Sequence, residues 1–118
     1  MYGLPADFDP GFFVGQVLVQ VCLNENQISL QFEDKTFLTL EGEYSCDSVR
    51  APGREGTRAV PEFDLALPRL VGQAVAKASG TRDGTLTLVF ENAMQLTCFD
   101  TAHYESYQIS HRGRVIIV

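Results

Sequence analysis

Basic residues are scarce in this 118-residue chain. Nine Lys and Arg residues stand against fifteen Asp and Glu residues, which gives a net charge of −6 at pH 7. Binding to nucleic acid requires a basic face that neutralises phosphates and releases counterions, so we expect no nucleic-acid partner. The same charge is compatible with a basic protein partner or a cationic ligand.

Long apolar runs are also missing. No stretch approaches the roughly 20 apolar residues that cross a bilayer, and the N-terminus lacks the basic start and apolar stretch of a signal peptide. The three cysteines are odd in number and lack CxxC spacing, which suits reduced thiols, with Cys98 expected to be a small buried side chain. We therefore expect a cytoplasmic protein that does not contact a membrane.

Sequence motifs for catalysis and cofactor binding are absent. The chain has no nucleophile elbow, phosphate-binding loop, dinucleotide fingerprint or zinc-ligand spacing. We expect no cofactor and no metal, and we do not expect an enzyme.

An internal repeat is the main feature that is present. The segment from Val71 to Leu96 is a second copy of the segment from Val14 to Leu38, and both copies begin with Val-Gly-Gln. Ile28 to Asp34, which reads Ile-Ser-Leu-Gln-Phe-Glu-Asp, recurs as Leu-Thr-Leu-Val-Phe-Glu-Asn from Leu86 to Asn92. The repeat predicts a duplicated unit with approximate two-fold symmetry.

Alternation of apolar and polar residues within both copies is typical of half-buried strands. It predicts about seven to nine strands and a mainly β fold. We expect two tandem, three- to four-stranded antiparallel meanders that form one sandwich or partly open barrel with internal pseudo-two-fold symmetry. At most one short helix is expected, between Pro61 and Leu70, with Pro68 ending it.

The domain organisation follows from the repeat. We expect a single domain over residues 1–118, with a first repeat over about 7–45, a connection over about 46–61 and a second repeat over about 62–118. The strand pattern stops between Cys46 and Thr57, which predicts a surface loop there.

The first strands of the two copies differ in the size of their side chains. In the first copy Val17, Val19 and Val21 are expected to point inward, and the aligned residues of the second copy are Ala74, Ala76 and Ala78. Three methyl groups then replace three isopropyl groups, so either bulky neighbours fill the space or a ligand pocket remains beside the alanines.

Titratable and aromatic residues gather near the C-terminus, namely Asp100, His103, Tyr104, Glu105, Tyr107 and His111. These residue types can bind zinc or transfer protons, but their spacing matches no known ligand pattern. The alternative is structural: Tyr107 packs with its hydroxyl satisfied, and Glu105 pairs with an arginine. Tyr104, Glu105 and Tyr107 join the three alanines as candidate ligand-binding residues.

Three of the nine basic residues, Arg50, Arg54 and Arg58, lie close together in the connection. They are a candidate site for a carboxylate or phosphate. The alternative is a solvated patch in which nearby glutamates compensate the charge.

The second half resembles a group of small bacterial proteins of unknown function. The resemblance covers about Leu70 to Ile117 and rests on the Asp83-Gly84 hairpin turn and on the Tyr-Glu-Ser-Tyr sequence from Tyr104 to Tyr107. The first half departs from that group. The resemblance implies no particular activity, and it suggests an accessory protein encoded beside toxins or on mobile gene cassettes.

Three function classes remain. The leading hypothesis is a non-enzymatic protein-binding module of the immunity or antitoxin type, followed by a small-molecule carrier with a pocket beside the alanines, and then an enzyme. Val89, Phe37 and Phe99 are expected on the outward side of the sheets, and the strand from Val115 to Val118 is apolar throughout. Both observations predict a homodimer.

Overall fold

The computed structural model describes residues 3–51, 56–100 and 106–118. These residues form ten strands, which are arranged in two five-stranded antiparallel sheets. The strands are β1 (Leu18–Leu23), β2 (Ile28–Phe32), β3 (Thr36–Leu40), β4 (Glu43–Ser48), β5 (Arg58–Ala59), β6 (Val75–Gly80), β7 (Leu86–Phe90), β8 (Met94–Cys98), β9 (Tyr107–His111) and β10 (Arg114–Ile117). The first sheet has the order β1-β2-β3-β9-β10 and the second β5-β4-β8-β7-β6. Neither sheet closes into a barrel, so the mainly β prediction is confirmed in its sandwich form.

Helical structure is limited, within the described residues, to two single 3₁₀ turns, η1 (Pro10–Phe13) and η2 (Leu67–Leu70). The expectation that Pro68 ends a helix is wrong, because Pro68 lies in the first turn of η2. Proline is tolerated there since the first amides of a helix have no intrahelical acceptor. No helix among these residues is long and apolar enough to span a membrane.

Each three-stranded meander is completed by a hairpin from the other half of the chain. The β9-β10 hairpin adds to β3, and the β4-β5 hairpin adds to β8. The exchange is symmetric, since Tyr107 pairs with Leu40 and Tyr44 pairs with Cys98, the repeat-equivalent of Leu40. The surface loop expected from Cys46 onward is therefore wrong for Cys46 to Ser48, which form the end of β4.

The two halves meet around a pseudo-two-fold axis. The Val17–Ala74 bridge joins repeat-equivalent residues. The Gly15 amide donates to the Val75 carbonyl and the Gly72 amide to the Leu18 carbonyl, both at 2.8 Å. Deeper in the core, the rings of Phe32 and Phe90 stack with centroids 6.4 Å apart and an interplanar angle of 14°. The glycine hydrogen bond thus occurs once in each repeat, and the bridge and the ring stack each join two equivalent residues, as the repeat predicts.

The buried side chains of both sheets form one continuous core. Its largest fully buried members are Tyr44, Tyr107, Phe13, Phe32, Phe90, Leu18, Ile28, Leu30, Leu38, Leu40, Leu67 and Leu70. Tyr44 and Tyr107 lie in the exchanged β4-β5 and β9-β10 hairpins, so each hairpin contributes a buried side chain to the core.

A β-bulge changes which residues of β1 and β6 point inward. The pairing of β1 with β2 shifts between Leu18 and Gln20, so Leu18 is fully buried while Val19 is 46% exposed. In β6 the shift falls between Val75 and Lys77, so Val75 is buried and Ala76 exposed. The predicted inward rows are therefore wrong at the bulged residues, because the extra residue changes the alternation of faces.

The small residues of β6 accommodate the N-terminal segment. Ala78 of β6 and Ala74, just before the strand, are half-buried, and Gly80 ends β6 opposite Leu86. A Cβ atom at Gly80 would lie 2.7 Å from Leu4 Cδ1, and Phe8 packs beside it. Ligand binding at the alanines stays a prediction, but the inward Ala76 on which it was based is wrong.

We expect Ala76→Leu to change the free energy of unfolding by no more than about 0.5 kcal/mol, because the bulged side chain lies in solvent. The matched inward change, Val75→Ala, should cost about 2 kcal/mol through lost burial and a residual cavity. Urea denaturation of both variants measures the difference. Equal destabilisation by the two substitutions would contradict the bulge.

Candidate functional site

A cleft of about 540 Å³ opens beside β4, next to the segment that precedes η2. Its lining combines charged and apolar side chains: Cys46, Asp47, Ser48, Arg58, Phe63, Asp64, Leu65, Ala66, Arg69 and Met94. We call this the arginine cleft. Its volume is within the range of small-molecule sites.

A buried tyrosine positions one wall of the arginine cleft. The Tyr44 hydroxyl donates to the Glu62 carbonyl at 2.6 Å and accepts from the Asp64 amide at 2.9 Å. Asp64 Oδ1 in turn accepts from the Ala66 amide at 2.9 Å, which begins the turn into η2. Because burial raises the pKa of Tyr44, its hydroxyl remains protonated and can keep donating at neutral pH.

An ion pair lies at the floor of the cleft. Arg58 Nε is 3.5 Å from Asp64 Oδ2, and the two side chains are 37% and 6% exposed. Both atoms are buried, and neither makes a hydrogen bond. The Nε atom of Arg58 is buried beside Asp64, the side chain as a whole is partly exposed, and Arg58 lines the cleft.

The Cys46 thiol lines the same cleft but is not a nucleophile at neutral pH. Burial, reinforced by the charges of Asp64 and Asp47, raises the pKa of Cys46 to about 12. Only the thiolate attacks electrophiles or ligates metals effectively. Cys98 is fully buried, as expected, and burial raises its pKa as well.

A smaller cleft of about 130 Å³ occupies the equivalent place beside β9. It is lined by Asp7, Phe8, Asp9, Phe12, Ile109, His111, Arg114 and Ile116. The His111 ring stacks on Phe12 with centroids 4.2 Å apart, and its Nδ1 lies 2.6 Å from the Thr36 hydroxyl. These rings fill space that is open in the arginine cleft, where Arg69 is the repeat-equivalent of Phe12.

Of the described residues of the C-terminal cluster, Asp100 and Tyr107 both lie beside Gly84, and His111 lies elsewhere. The Tyr107 hydroxyl donates to the Gly84 carbonyl at 2.6 Å, which confirms the structural alternative for that residue. Asp100 accepts from the Gly3 amide, whereas His111 contacts Phe12 and Thr36. His103, Tyr104 and Glu105 lie outside the described residues. Within the described ranges, no three His, Cys, Asp or Glu residues are grouped so that they could hold a metal ion.

The arginine cluster is only partly brought together. Arg58 lines the arginine cleft, Arg50 lies exposed in the turn after β4, and Arg54 falls outside the described residues. The second arginine of the cleft is Arg69, which the sequence analysis missed. Only the tertiary structure places Arg69 of η2 at the cleft that Arg58 lines, so no sequence spacing links the two residues.

The outer face of the first sheet is a second candidate surface, which we call the uncharged face. Its ten side chains form two rows across all five strands: Gln20, Gln31, Phe37, Ser110 and Val115, and then Cys22, Ser29, Thr39, Gln108 and Ile117. None of them is charged, although charged residues make up 20% of the chain. Phe37, expected to face outward, is exposed, as are Val115 and Ile117. Glu41 borders the face and accepts from Gln108.

Among the described residues, no strand pairs with the outer side of β10 at the edge of this sheet. Val118 and Tyr107 exchange backbone hydrogen bonds. Because hydrogen-bonded and non-hydrogen-bonded pairs alternate along an antiparallel ladder, the backbone N–H and C=O groups of Val115 and Ile117 point away from β9. The other three edge strands are protected, because β1 and β6 contain bulges and β5 has two residues. β10 is therefore the edge best able to pair with another strand.

Comparison with known proteins gives a family but no activity. The model of a family of unknown function, DUF6188, matches residues 13–118. No curated protein matches the chain. No solved structure matches it either.

Proposed function

Because this chain belongs to DUF6188, a family without an assigned activity, we propose from its geometry that it is a non-enzymatic protein-binding module of the immunity or antitoxin type. The observation that carries the proposal is the uncharged face. A bacterial accessory role beside toxins or on mobile cassettes belongs to the same proposal.

The composition of the uncharged face is that of an interface centre. Charged residues are depleted at the centres of protein interfaces, where aromatic residues anchor binding. Phe37 lies in the middle strand of the first sheet, and its cross-strand neighbours, Gln31 and Ser110, are uncharged. A net charge of −6 on the chain as a whole favours a basic partner, because opposite charge accelerates encounter.

The partner experiment compares two lysine substitutions at repeat-equivalent positions. Phe37→Lys places a charge at the centre of the uncharged face. Gln95→Lys places a charge at the equivalent position on β8 of the second sheet, away from the uncharged face. Tagged wild type and both variants are used to capture proteins from the cell that produces the chain, with quantification by mass spectrometry. We expect wild type and Gln95→Lys to retain a basic protein and Phe37→Lys to lose it at least about tenfold. Equal capture by all three baits would refute this function.

We further propose that the chain forms a homodimer through β10. Two copies of β10 can pair antiparallel across a two-fold axis perpendicular to the sheet, which satisfies the open peptide groups. This axis keeps both uncharged faces on the same side, so dimerisation doubles the surface that a partner protein can contact.

The dimer is tested by charging its edge. Val115→Lys combined with Ile117→Lys should convert a dimer into a monomer in sedimentation equilibrium, because the paired strands would bring four lysines together. Ser79→Lys, on the edge strand of the second sheet, should leave the dimer intact. In wild type, dilution to monomer should accelerate hydrogen exchange at the amides of Val115 and Ile117. A wild-type monomer at all concentrations would rule out the dimer.

A further inference from the structure

The charges of the arginine cleft are arranged by depth. Asp64 and Asp47 are buried, whereas Arg58 is partly exposed and Arg69 is exposed. The total charge of these four groups is zero, but the groups that a dissolved molecule meets first are the two guanidinium groups. This order of exposure favours an anion over a cation at the mouth of the cleft.

Arg58 is held in place for such contacts. Asp64 lies 3.5 Å from Nε on the buried side, and the Asp64 backbone is fixed by the Tyr44 hydroxyl. The guanidinium is thereby oriented before a ligand arrives, which lowers the entropy lost on binding. No described carboxylate lies within 4.0 Å of the Arg69 guanidinium, so its charge is available to a ligand.

Apolar side chains line another part of the cleft. Leu65 is 82% exposed at the mouth, and Phe63, Ala66 and Met94 are half-buried along the walls. A leucine exposed to this degree beside two arginines provides an apolar surface that an organic ligand can cover.

We propose that the arginine cleft binds a small monocarboxylate that has an apolar body. The carboxylate accepts hydrogen bonds from Arg58 and Arg69, and the apolar body packs on Phe63, Leu65 and Met94. A single negative charge is specified because the buried carboxylate of Asp64, beside Arg58, would repel a dianion such as a phosphate monoester more than a monoanion. This site is separate from the uncharged face and goes beyond the protein-binding function.

Calorimetric titration with phenylacetate tests the site. Wild type should bind phenylacetate with a measurable dissociation constant, and the uncharged analogue phenylacetamide should bind at least about tenfold more weakly, since charge-assisted hydrogen bonds are lost. Inorganic phosphate should bind more weakly than phenylacetate. Equal binding of the acid and the amide, or tighter binding of phosphate, would overturn the proposal.

Variants locate the site. Arg69→Gln removes an exposed charge without disturbing the core, and it should weaken phenylacetate binding about tenfold. Arg58→Lys keeps the charge that Asp64 needs but removes the forked donor, and a similar loss is expected. Arg114→Gln, in the smaller cleft, is the matched control and should bind as wild type does. Unchanged affinity in Arg69→Gln, or no binding by folded wild type up to on the order of 10 mM, would reject the site.

Discussion

Replacing Phe32 or Phe90 by alanine is expected to lower the free energy of unfolding by about 3 to 5 kcal/mol. Both side chains are almost fully buried, and their rings stack across the pseudo-two-fold axis. Phe32 also contacts the Phe13 ring edge-on, with centroids 5.4 Å apart. Each substitution removes a large apolar surface from the centre of the core and leaves a cavity bounded by both sheets, which cannot easily collapse.

The internal symmetry sharpens this expectation. Because Phe32 and Phe90 occupy equivalent positions, their losses should agree to within about 1 kcal/mol, and the double variant should lose less than the sum since both share one stacked contact. Urea denaturation of the single and double variants provides the three values. Phe37→Ala, on the exposed face, is the control and should cost less than about 1 kcal/mol. Strongly unequal losses would show that the two halves do not share the core equally.

Gly84→Ala is expected to cost about 3 kcal/mol. Gly84 has a φ of +96°, and a Cβ atom there would lie 2.5 Å from the Asp100 Cβ. The conformation alone costs an alanine about 1 to 2 kcal/mol, and the steric overlap adds a comparable amount. A shift of the turn would also weaken the hydrogen bond from the Tyr107 hydroxyl to the Gly84 carbonyl.

Gly72→Ala separates the two contributions. Gly72 has a φ of +86°, but a Cβ atom there would meet no other atom within 4 Å. It should therefore show only the conformational cost, about 1 to 2 kcal/mol. Thermal or urea unfolding of both variants measures the difference, which reports the packing of the turn against Asp100. If both variants lose the same stability, the close approach to Asp100 has no energetic role.

Divergence between the two halves explains where a ligand site can exist. The repeat places a cleft beside β4 and another beside β9, but their linings differ. In the second, Phe12 and His111 stack and reduce the space. In the first, Arg69 replaces the aromatic ring and the cleft stays open. The two repeats thus have clefts at equivalent positions, and the cleft beside β4 has the larger volume.

The sequence by itself determined the class of structure and its symmetry. Alternation in Ile28 to Phe32 and Leu86 to Phe90 reports strands directly, because side chains of a strand point to opposite faces in turn. The glycine of the Thr81–Gly84 turn was also predictable, since its conformation is local. Patterns of this kind depend only on neighbours in the chain.

Other features depend on contacts between distant residues, and only the tertiary structure decided them. The bulges at Val19 and Ala76 reverse the faces of two strands without a local sign in the residue pattern. The hairpin exchange sets which strands are adjacent, and alternation carries no information about strand order. Arg58 lies beside Asp64, and Arg69 lines the same cleft, although the three residues come from different segments of the chain. The fold class is thus a local property of this chain, and both candidate surfaces are products of its long-range pairing.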